Sequence, residues 1–447
     1  MVRLKGLFLP EGYPDSVSSD YLDYQLWSVP THITGWLSHS LTTSSLLQAV
    51  GLAAGPAGTV GLAAAVKWIA KDGIGAAGRL LVGGRLGLEL DDDPRRWRMF
   101  AEVVTTLGLM LEALTSVYPS NFLLLACTGN FATAVGKGIG RPAFRVVQTH
   151  FAAANNVGAV AAKEEVWEVV GQLSGLLASI TLLQVLESTG SSQYVVAAWA
   201  LSQGTHVLLR RHALSKLRFT TLSRKRAGAL ARAHVAGSPL PSVRAANAEE
   251  PLWEGPDQVR PYMTLGCGLE ELLEGWRADG GAHGSDTHSD NDRAAAGQSG
   301  DARPSTSGRS SGGDDGGSGG GEDAAGWTAL GPRLSRFAAL YAGEGYMLAW
   351  GGARGGGARR ARVVLKAGAG PGAPLRAIWQ AAWLEHAAEQ RATHLTGTDH
   401  NGEQLGLLAD SLDALRVRYG EFEGEARGLG WDLRVNLKCG NGRVSAG

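Results

Sequence analysis

Charged side chains are absent from four long stretches of this chain: Thr31 to Val66, Ala113 to Gly136, Val169 to Leu186 and Ser188 to Leu209. Divided at turn signals such as Gly55-Pro56, Tyr118-Pro119 and Ser188 to Gln193, they give six apolar segments at roughly 31–53, 57–77, 99–118, 121–140, 167–187 and 193–211. Each is close to the ~20 residues a bilayer-crossing helix needs, and none shows the charged outer face of a helix in water. The turns after the first, third and fifth segments carry no Lys or Arg. The other connections hold Lys71, Arg79, Arg85, Arg95, Arg96 and Arg98, then Lys137, Arg141, Arg145 and Lys163, then Arg210, Arg211, Lys216 and Arg218. An up-and-down path puts all of these on one face, the positive-inside arrangement, with both termini on the cytoplasmic or stromal side. The competing reading is a large soluble helical domain, because the segments are rich in Ala, Gly, Ser and Thr and are interrupted by His32, His39 and His206.

Beyond residue 213 the pattern changes. Residues 214–277 are mixed, with the basic run Arg224-Lys225-Arg226. Residues 278–326 are Gly/Ser/Asp-rich and too poor in apolar side chains to offset their ordering entropy, which predicts a disordered linker. After it, Tyr346 to Trp350 and Arg362 to Lys366 read as strands joined by a Gly-rich turn. Pro374 opens a helix through Ile378, Trp379 and Leu384; Leu412, Leu415 and Tyr419 mark another; Leu433 to Leu437 alternates as a last strand. The expected fold is mainly α. It comprises a polar aromatic lead segment (1–30), a membrane-embedded bundle of about six helices (31–213), a mixed helical extension (214–277), the linker (278–326) and a small C-terminal α+β domain (327–447).

Composition adds constraints. With 42 basic and 42 acidic residues the net charge is zero, which gives no footprint for nucleic acid or an acidic partner. Cys127, Cys267 and Cys439 have no pairing or metal-ligand spacing and read as buried thiols in a reducing compartment. Met1 to Pro14 has no apolar core of the secretory-signal kind. Gly73-x-Gly75-x-x-Gly78 matches a dinucleotide fingerprint by letter, but the Ala-rich helical run Leu62 to Ala70 precedes it where a strand is required. His32, His39, His150, His206 and His212 lack ligand spacing, so no metal is expected. No catalytic constellation is recognisable, and Lys163-Glu164-Glu165 reads as a solvated helix start before Trp167.

Several motifs in order carry a likeness. Phe8-Leu9-Pro10-Glu11-Gly12-Tyr13-Pro14-Asp15 and Tyr21-Leu22-Asp23-Tyr24-Gln25-Leu26-Trp27 are followed by Trp68-Ile69-Ala70-Lys71-Asp72-Gly73, Trp97-Arg98-Met99-Phe100-Ala101, Tyr118-Pro119, and Asn155-Asn156 ahead of Ala162-Lys163. Over roughly residues 7–215 the chain resembles the root UVB sensitive family, also labelled by its link to vitamin B6 photoprotection and homeostasis. A fainter echo lies at Gly345 to Leu348. One departure is Glu164-Glu165, where the family pattern leads one to expect Asp-Gly.

The resemblance implies a role in vitamin B6 balance, UV-B tolerance and early development. It also implies a plastid location for some members, association with a paralogue or with itself, and no established catalytic residue. The expectation is a non-enzymatic membrane scaffold or regulator, the alternative a multi-helix transporter of a B6 vitamer-like molecule, and the least favoured an enzyme acting on a vitamer. No resident cofactor is expected. Lys71-Asp72-Gly73-Ile74-Gly75 is loosely echoed by Lys137-Gly138-Ile139-Gly140-Arg141, as in transporters built from repeats. The expected anion site is therefore Lys71, Asp72, Arg79, Lys137 and Arg141, with pyridoxal phosphate or a related vitamer as ligand.

Overall fold

The computed structural model describes residues 6–51, 61–83, 87–188, 191–278, 334–353, 357–392, 400–435 and 443–444. The expected linker therefore lies outside the described residues except for Ala278, as do Cys439 and the Gly55-Pro56 turn. The described part is mainly helical. Its N-terminal half contains α1 (Tyr21–Val50), α2 (Gly61–Gly83), the short α3 (Gly87–Asp92), α4 (Pro94–Ala113), α5 (Phe122–Phe151), α6 (Val157–Glu187) and α7 (Ser192–Ser215).

Over the described residues each of the six apolar segments coincides with one long helix, but the bounds differ: α4 stops at Ala113, short of 118, while α5 and α6 run well past their segments. The basic residues Lys137, Arg141 and Arg145, expected in a connection, lie on α5, whose junction with α6 is only residues 152–156. Asn155 adopts φ +58° there, a conformation Asn tolerates better than most side chains. Lys71 and Arg79 likewise lie on α2. At 1.5 Å per residue, the 30-residue α5 is about 45 Å long, against a hydrocarbon slab of about 30 Å, so charge at its far turns is compatible with crossing. By length and composition alone, three of the helical stretches searched suffice to cross a membrane: Pro94–Ser116, Pro119–Phe151 and Val157–Glu187. In α1, Ser and Thr hydroxyls fold back on the helix itself, as when Ser40 Oγ donates to Trp36 O and Thr42 Oγ1 to Ser38 O.

The six long helices form two sets of three. In one, α5 packs between α4 and α2 through glycines. A Cβ on Gly136 would lie 2.2 Å from Thr105 Oγ1 and 2.8 Å from Ala101 O, and one on Gly129 would lie 2.7 Å from Gly108 O. Gly75 and Gly78 meet Asn130 and the Phe131 carbonyl of α5, which gives the GxGxxG letters a packing role within one continuous helix. In the other set, α1 packs between α6 and α7. Gly175 approaches Ile33 O and Trp36 Cβ, and Ser38 Oγ donates to Ser202 Oγ at 3.0 Å. Contacts within each set are far denser than those between the sets.

The lead segment is bound to this half. Trp167 Nε1 donates to Phe8 O at 3.0 Å and Lys163 Nζ to Gly6 O at 2.6 Å. The expected solvated helix start is corrected at one residue: Glu164 is buried and its carboxylate accepts from Gln148 Nε2 at 2.7 Å. Asp20, also buried, accepts from His150 Nε2 at 3.0 Å and from the Arg218 backbone N–H at 2.7 Å, tying the lead segment to α5 and the chain after α7. Burial alone would raise its pKa, but the hydrogen bond and charge of His150, with bonds from Ser18 and Arg218, outweigh it and hold the carboxyl below the usual carboxylate range. A lowered native pKa gives stability that is present above the unfolded value of about 3.9 and is lost as pH falls through the folded value. Asp20→Asn is expected to cost about 1–3 kcal/mol at neutral pH and to flatten the loss of unfolding midpoint below pH 4, as read by melts across pH 7 to 3.

The remaining elements are β1 (Thr221–Leu222), α8 (Arg224–Val235), α9 (Val243–Glu249), β2 (Met263–Leu265), α10 (Leu269–Ala278), β3 (Tyr346–Ala353), β4 (Gly357–Lys366), α11 (Ala373–Ala392), α12 (His400–Gly428), β5 (Asp432–Val435) and β6 (Arg443–Val444). β3 and β4 pair antiparallel, with Tyr346 opposite Leu365, and β2 joins β4 in parallel at Met263–Ala361. β6 pairs with β4 further along, and β1 pairs with β5. Leu222, Leu230, Ala231 and Met263 of the 214–277 stretch share one core with Tyr346, Leu348, Trp379 and Leu412. The strip treated in the sequence as an extension thus supplies an edge strand and a helix to the C-terminal sheet.

Gln380, fully buried, is the polar hub of that core. It accepts from Tyr346 OH at 2.8 Å and donates to Tyr341 OH at 2.9 Å and Ser411 Oγ at 2.8 Å. Gln380→Ala strands buried hydroxyls and is expected to lower stability by about 1–3 kcal/mol in denaturant titrations that follow tryptophan emission. The C-terminal unit is clasped to the bundle at the start of α4, where Lys225 Nζ lies 2.5 Å from Asp93 Oδ2 and Arg95 Nη1 meets Glu250 Oε2 at 3.1 Å.

Candidate functional site

A cavity of about 370 Å³ lies where the two helix sets meet. Its lining comes from α1 (His32, Trp36, His39), α4 (Arg98, Glu102, Thr105), α5 (Thr133, Lys137, Arg141), α6 (Glu168) and α7 (Gln203, His206, Arg210). The volume falls within the usual ~300–1,000 Å³ range of small-molecule sites.

Its floor is a buried ionic cluster. Glu102 Oε1 bonds His206 Nε2 at 2.8 Å, Arg210 Nε lies 3.3 Å from Glu102 Oε2, and His206 Nδ1 meets Thr34 Oγ1 at 3.1 Å. Gly35 makes room for this imidazole, since a Cβ there would lie 3.1 Å from His206 Cε1. The helical repeat brings Arg98, Glu102 and Thr105 to one face of α4, and Thr133, Lys137 and Arg141 to one face of α5. Arg98 reaches the α5 side because position 140 is glycine: a Cβ there would lie 2.7 Å from Arg98 Nη1. The guanidinium also stacks over Phe144 at 5.2 Å. At the mouth, Lys137 and Arg141 are exposed. Four buried polar atoms of the lining have no hydrogen-bond partner among the described residues: the oxygens Gln203 Oε1 and Thr133 Oγ1 and the nitrogens Arg98 Nε and Arg210 Nε, the last lying in the ion pair with Glu102. The Gln203 amide nitrogen, by contrast, donates to Thr106 Oγ1 at 2.7 Å.

Of the five residues proposed from sequence, Lys137 and Arg141 line the cavity and the other three do not. Lys71 is buried on α2, paired with Asp72 at 3.1 Å and stacked 5.0 Å from the Trp68 ring; Asp72 and Arg79 are exposed. Sequence reasoning missed Arg98, Glu102, Gln203 and Arg210 as site residues. Arg98 stands in the Trp97 to Ala101 motif quoted for its resemblance alone. The available signal was an acid, Glu102, within the otherwise uncharged run Met99 to Leu111 of α4, where an ionised group demands a partner. Three histidines read as scattered, His32, His39 and His206, are brought to the one cavity. Cys127 and Cys267 are buried and unpaired.

The arrangement defines a mainly helical protein with a cavity lined by more cations than acids where its two helix sets meet. The profile of the vitamin B6 photo-protection and homoeostasis domain matches residues 1–238, and the chain belongs to that family, the root UVB sensitive proteins. It is 44% identical over 274 residues to root UVB sensitive 5 of Arabidopsis thaliana, covering 60% of this chain and 54% of that protein. It is 34% identical over 191 residues to root UVB sensitive 2, chloroplastic, of the same plant, covering 43% of each. Against RUS family member 1 of Dictyostelium discoideum it is 28% identical over 222 residues, 49% of this chain and 42% of that protein. The chain spans about half the length of the curated relatives it matches. No solved structure matches it.

Proposed function

We propose that the protein is a membrane-embedded carrier of a small molecule connected with vitamin B6 balance, with the cavity between the two helix sets as its substrate site. One observation carries this reading: a charged cavity lies inside a bundle whose outer surface is apolar. On α6 the exposed side chains between Glu168 and Glu187 include Val169, Val170, Leu173, Leu177, Ile180 and Val185, with no charge among them, and only 17% of its most apolar window is buried. Leu201 and Leu208 of α7 and Leu107 and Met110 of α4 continue the surface. In water such a face is an aggregation liability; in lipid it is the expected exterior, with polar groups turned inward. The interior site favours transport over the scaffold role suggested by the linker and C-terminal unit. A relative named chloroplastic supports a plastid membrane as the location, and association with a paralogue or with itself is compatible with the apolar face.

The test is twofold. The protein is expected to stay in the pellet after carbonate washing of membranes, and reconstituted vesicles to show saturable, protein-dependent uptake of a labelled B6 vitamer. Release by carbonate would sink the membrane reading, and absence of uptake by protein that is folded and inserted would sink the carrier reading.

A further inference from the structure

We propose that the cavity takes a phosphate monoester, with the phosphate held at the mouth by Arg98, Lys137 and Arg141 and a hydroxyl or amine of the ligand bonded deeper in by Gln203 and Thr133. This inference deepens the carrier reading and rests on it for the site's role.

The charges supply the first half of the argument. Four cations and two carboxylates line the cavity. Glu102 is committed to His206 and Arg210. Glu168 is exposed at the rim, and Glu164, the nearby buried acid outside the lining, is engaged by Gln148. Among the described residues no acid makes a close ion pair with Arg98, Lys137 or Arg141, although the buried Glu112 acts on Lys137 at longer range and Glu102 and Glu164 on Arg98. Three cations without a close acidic partner in one cavity call for an anion with several oxygens and more than one charge. A carboxylate offers two oxygens, which a single guanidinium fork satisfies. A phosphate monoester offers three terminal oxygens and nearly two charges, matching two forks and a lysine point charge.

The buried orphan atoms supply the second half. Gln203 is 2% exposed and Thr133 5%, and Gln203 Oε1 and Thr133 Oγ1 are the two lining oxygens without partners among the described residues, the other orphaned atoms being the donors Arg98 Nε and Arg210 Nε. A carboxamide oxygen can only accept, so Gln203 asks for an O–H or N–H donor on the occupant. Fully ionised phosphate has none, whereas a phosphorylated molecule bearing hydroxyl or amino groups does. The exposed Lys137 and Arg141, the half-buried Arg98 and the buried acceptors then order the ligand: phosphate outward, donor inward.

The experiment is equilibrium binding to the full chain in detergent, with pyridoxine 5′-phosphate and pyridoxine as the probe pair. Neither has an aldehyde to condense with Lys137. The phosphorylated probe is expected to bind at least tenfold more tightly. Arg141→Gln is expected to weaken it tenfold to a hundredfold without changing pyridoxine, Gln203→Leu to weaken both probes, and Arg79→Gln, exposed on α2, to change neither. If Arg141→Gln does not fold, as judged by its melt, Lys137→Gln takes its place. Equal affinity for the two probes, no binding of the phosphorylated one, or equal losses in Arg79→Gln and Arg141→Gln overturns the proposal. Phosphate-selective binding without vesicle uptake leaves it standing and removes the carrier reading. Uptake of pyridoxine with no preference for phosphate does the opposite.

Discussion

Glu102→Ala is expected to lower the stability of the helical half by about 3–5 kcal/mol, the cost of breaking a buried ionic cluster from one side. The substitution strands Arg210, 6% exposed, and removes the acceptor for His206 Nε2. In a site walled by helices apolar enough for lipid, water compensates poorly, and an orphaned guanidinium is worse than no charge at all. Thermal unfolding in detergent, followed by tryptophan emission, reads the effect. The double variant Glu102→Met, Arg210→Met is the informative control, because replacing both partners with apolar chains of similar size removes the uncompensated charge and is expected to recover most of the loss. A melt for Glu102→Ala within a degree of the parent would show that the cluster is solvated, and would take the buried floor of the cavity with it.

Gly136→Val is expected to be as damaging, for a steric reason. Even the first carbon of a side chain at 136 would come 2.2 Å from Thr105 Oγ1, 2.8 Å from Ala101 O and 2.9 Å from Thr105 N. Thr105 Oγ1 could rotate away, but two of the obstacles are backbone, so α4 and α5 have to separate along their shared seam. Overpacking in cores usually costs about 1–3 kcal/mol; a clash with main chain belongs at or beyond the top of that range. Gly136→Ala should cost less, and Gly158→Ala, with nothing within 4 Å of the added carbon, should be neutral or slightly stabilising by helix propensity. Protease resistance and melting of the three variants give the ranking. If Val and Ala at 136 behave alike, the close approach of the two helices is not what holds them together.

Much of the fold could be read from charge alone. Six apolar, charge-poor segments coincide with six helices over the described residues because the same scarcity of charge that suits lipid suits burial. The ends were misplaced where charge was read as loop: Lys137, Arg141 and Arg145 continue α5, since long side chains on a helix can face a polar cavity or an interface without ending it. The β3–β4 pair and α11 and α12 were visible from local alternation and helical spacing. β2, three residues long, was not, because its strand character comes from pairing with Ala361 to Val363.

The site was half legible. Lys137 and Arg141 stood out as a basic pair four residues apart. The link between Glu102 and His206 joins positions 104 apart in sequence, and only the packing of α4 against α7 brings them together. Lys71 and Arg79 echo the Lys137 region in the sequence, yet they lie on α2, which packs mainly on α5 and adds no residue to the cavity lining.

The glycine seams fix where the molecule can change shape. Helices whose main chains are meshed at Gly108, Gly129 and Gly136, or at Gly171 and Gly175, cannot shear past one another without unlocking several notches together. Each trio is therefore locked within itself, whereas the plane between the trios holds a void and is crossed by the Glu102–His206–Arg210 cluster and the Gln203–Thr106 hydrogen bond. In the proposed carrier, a change of access would move the trios as blocks and would have to release that cluster, without bending a helix.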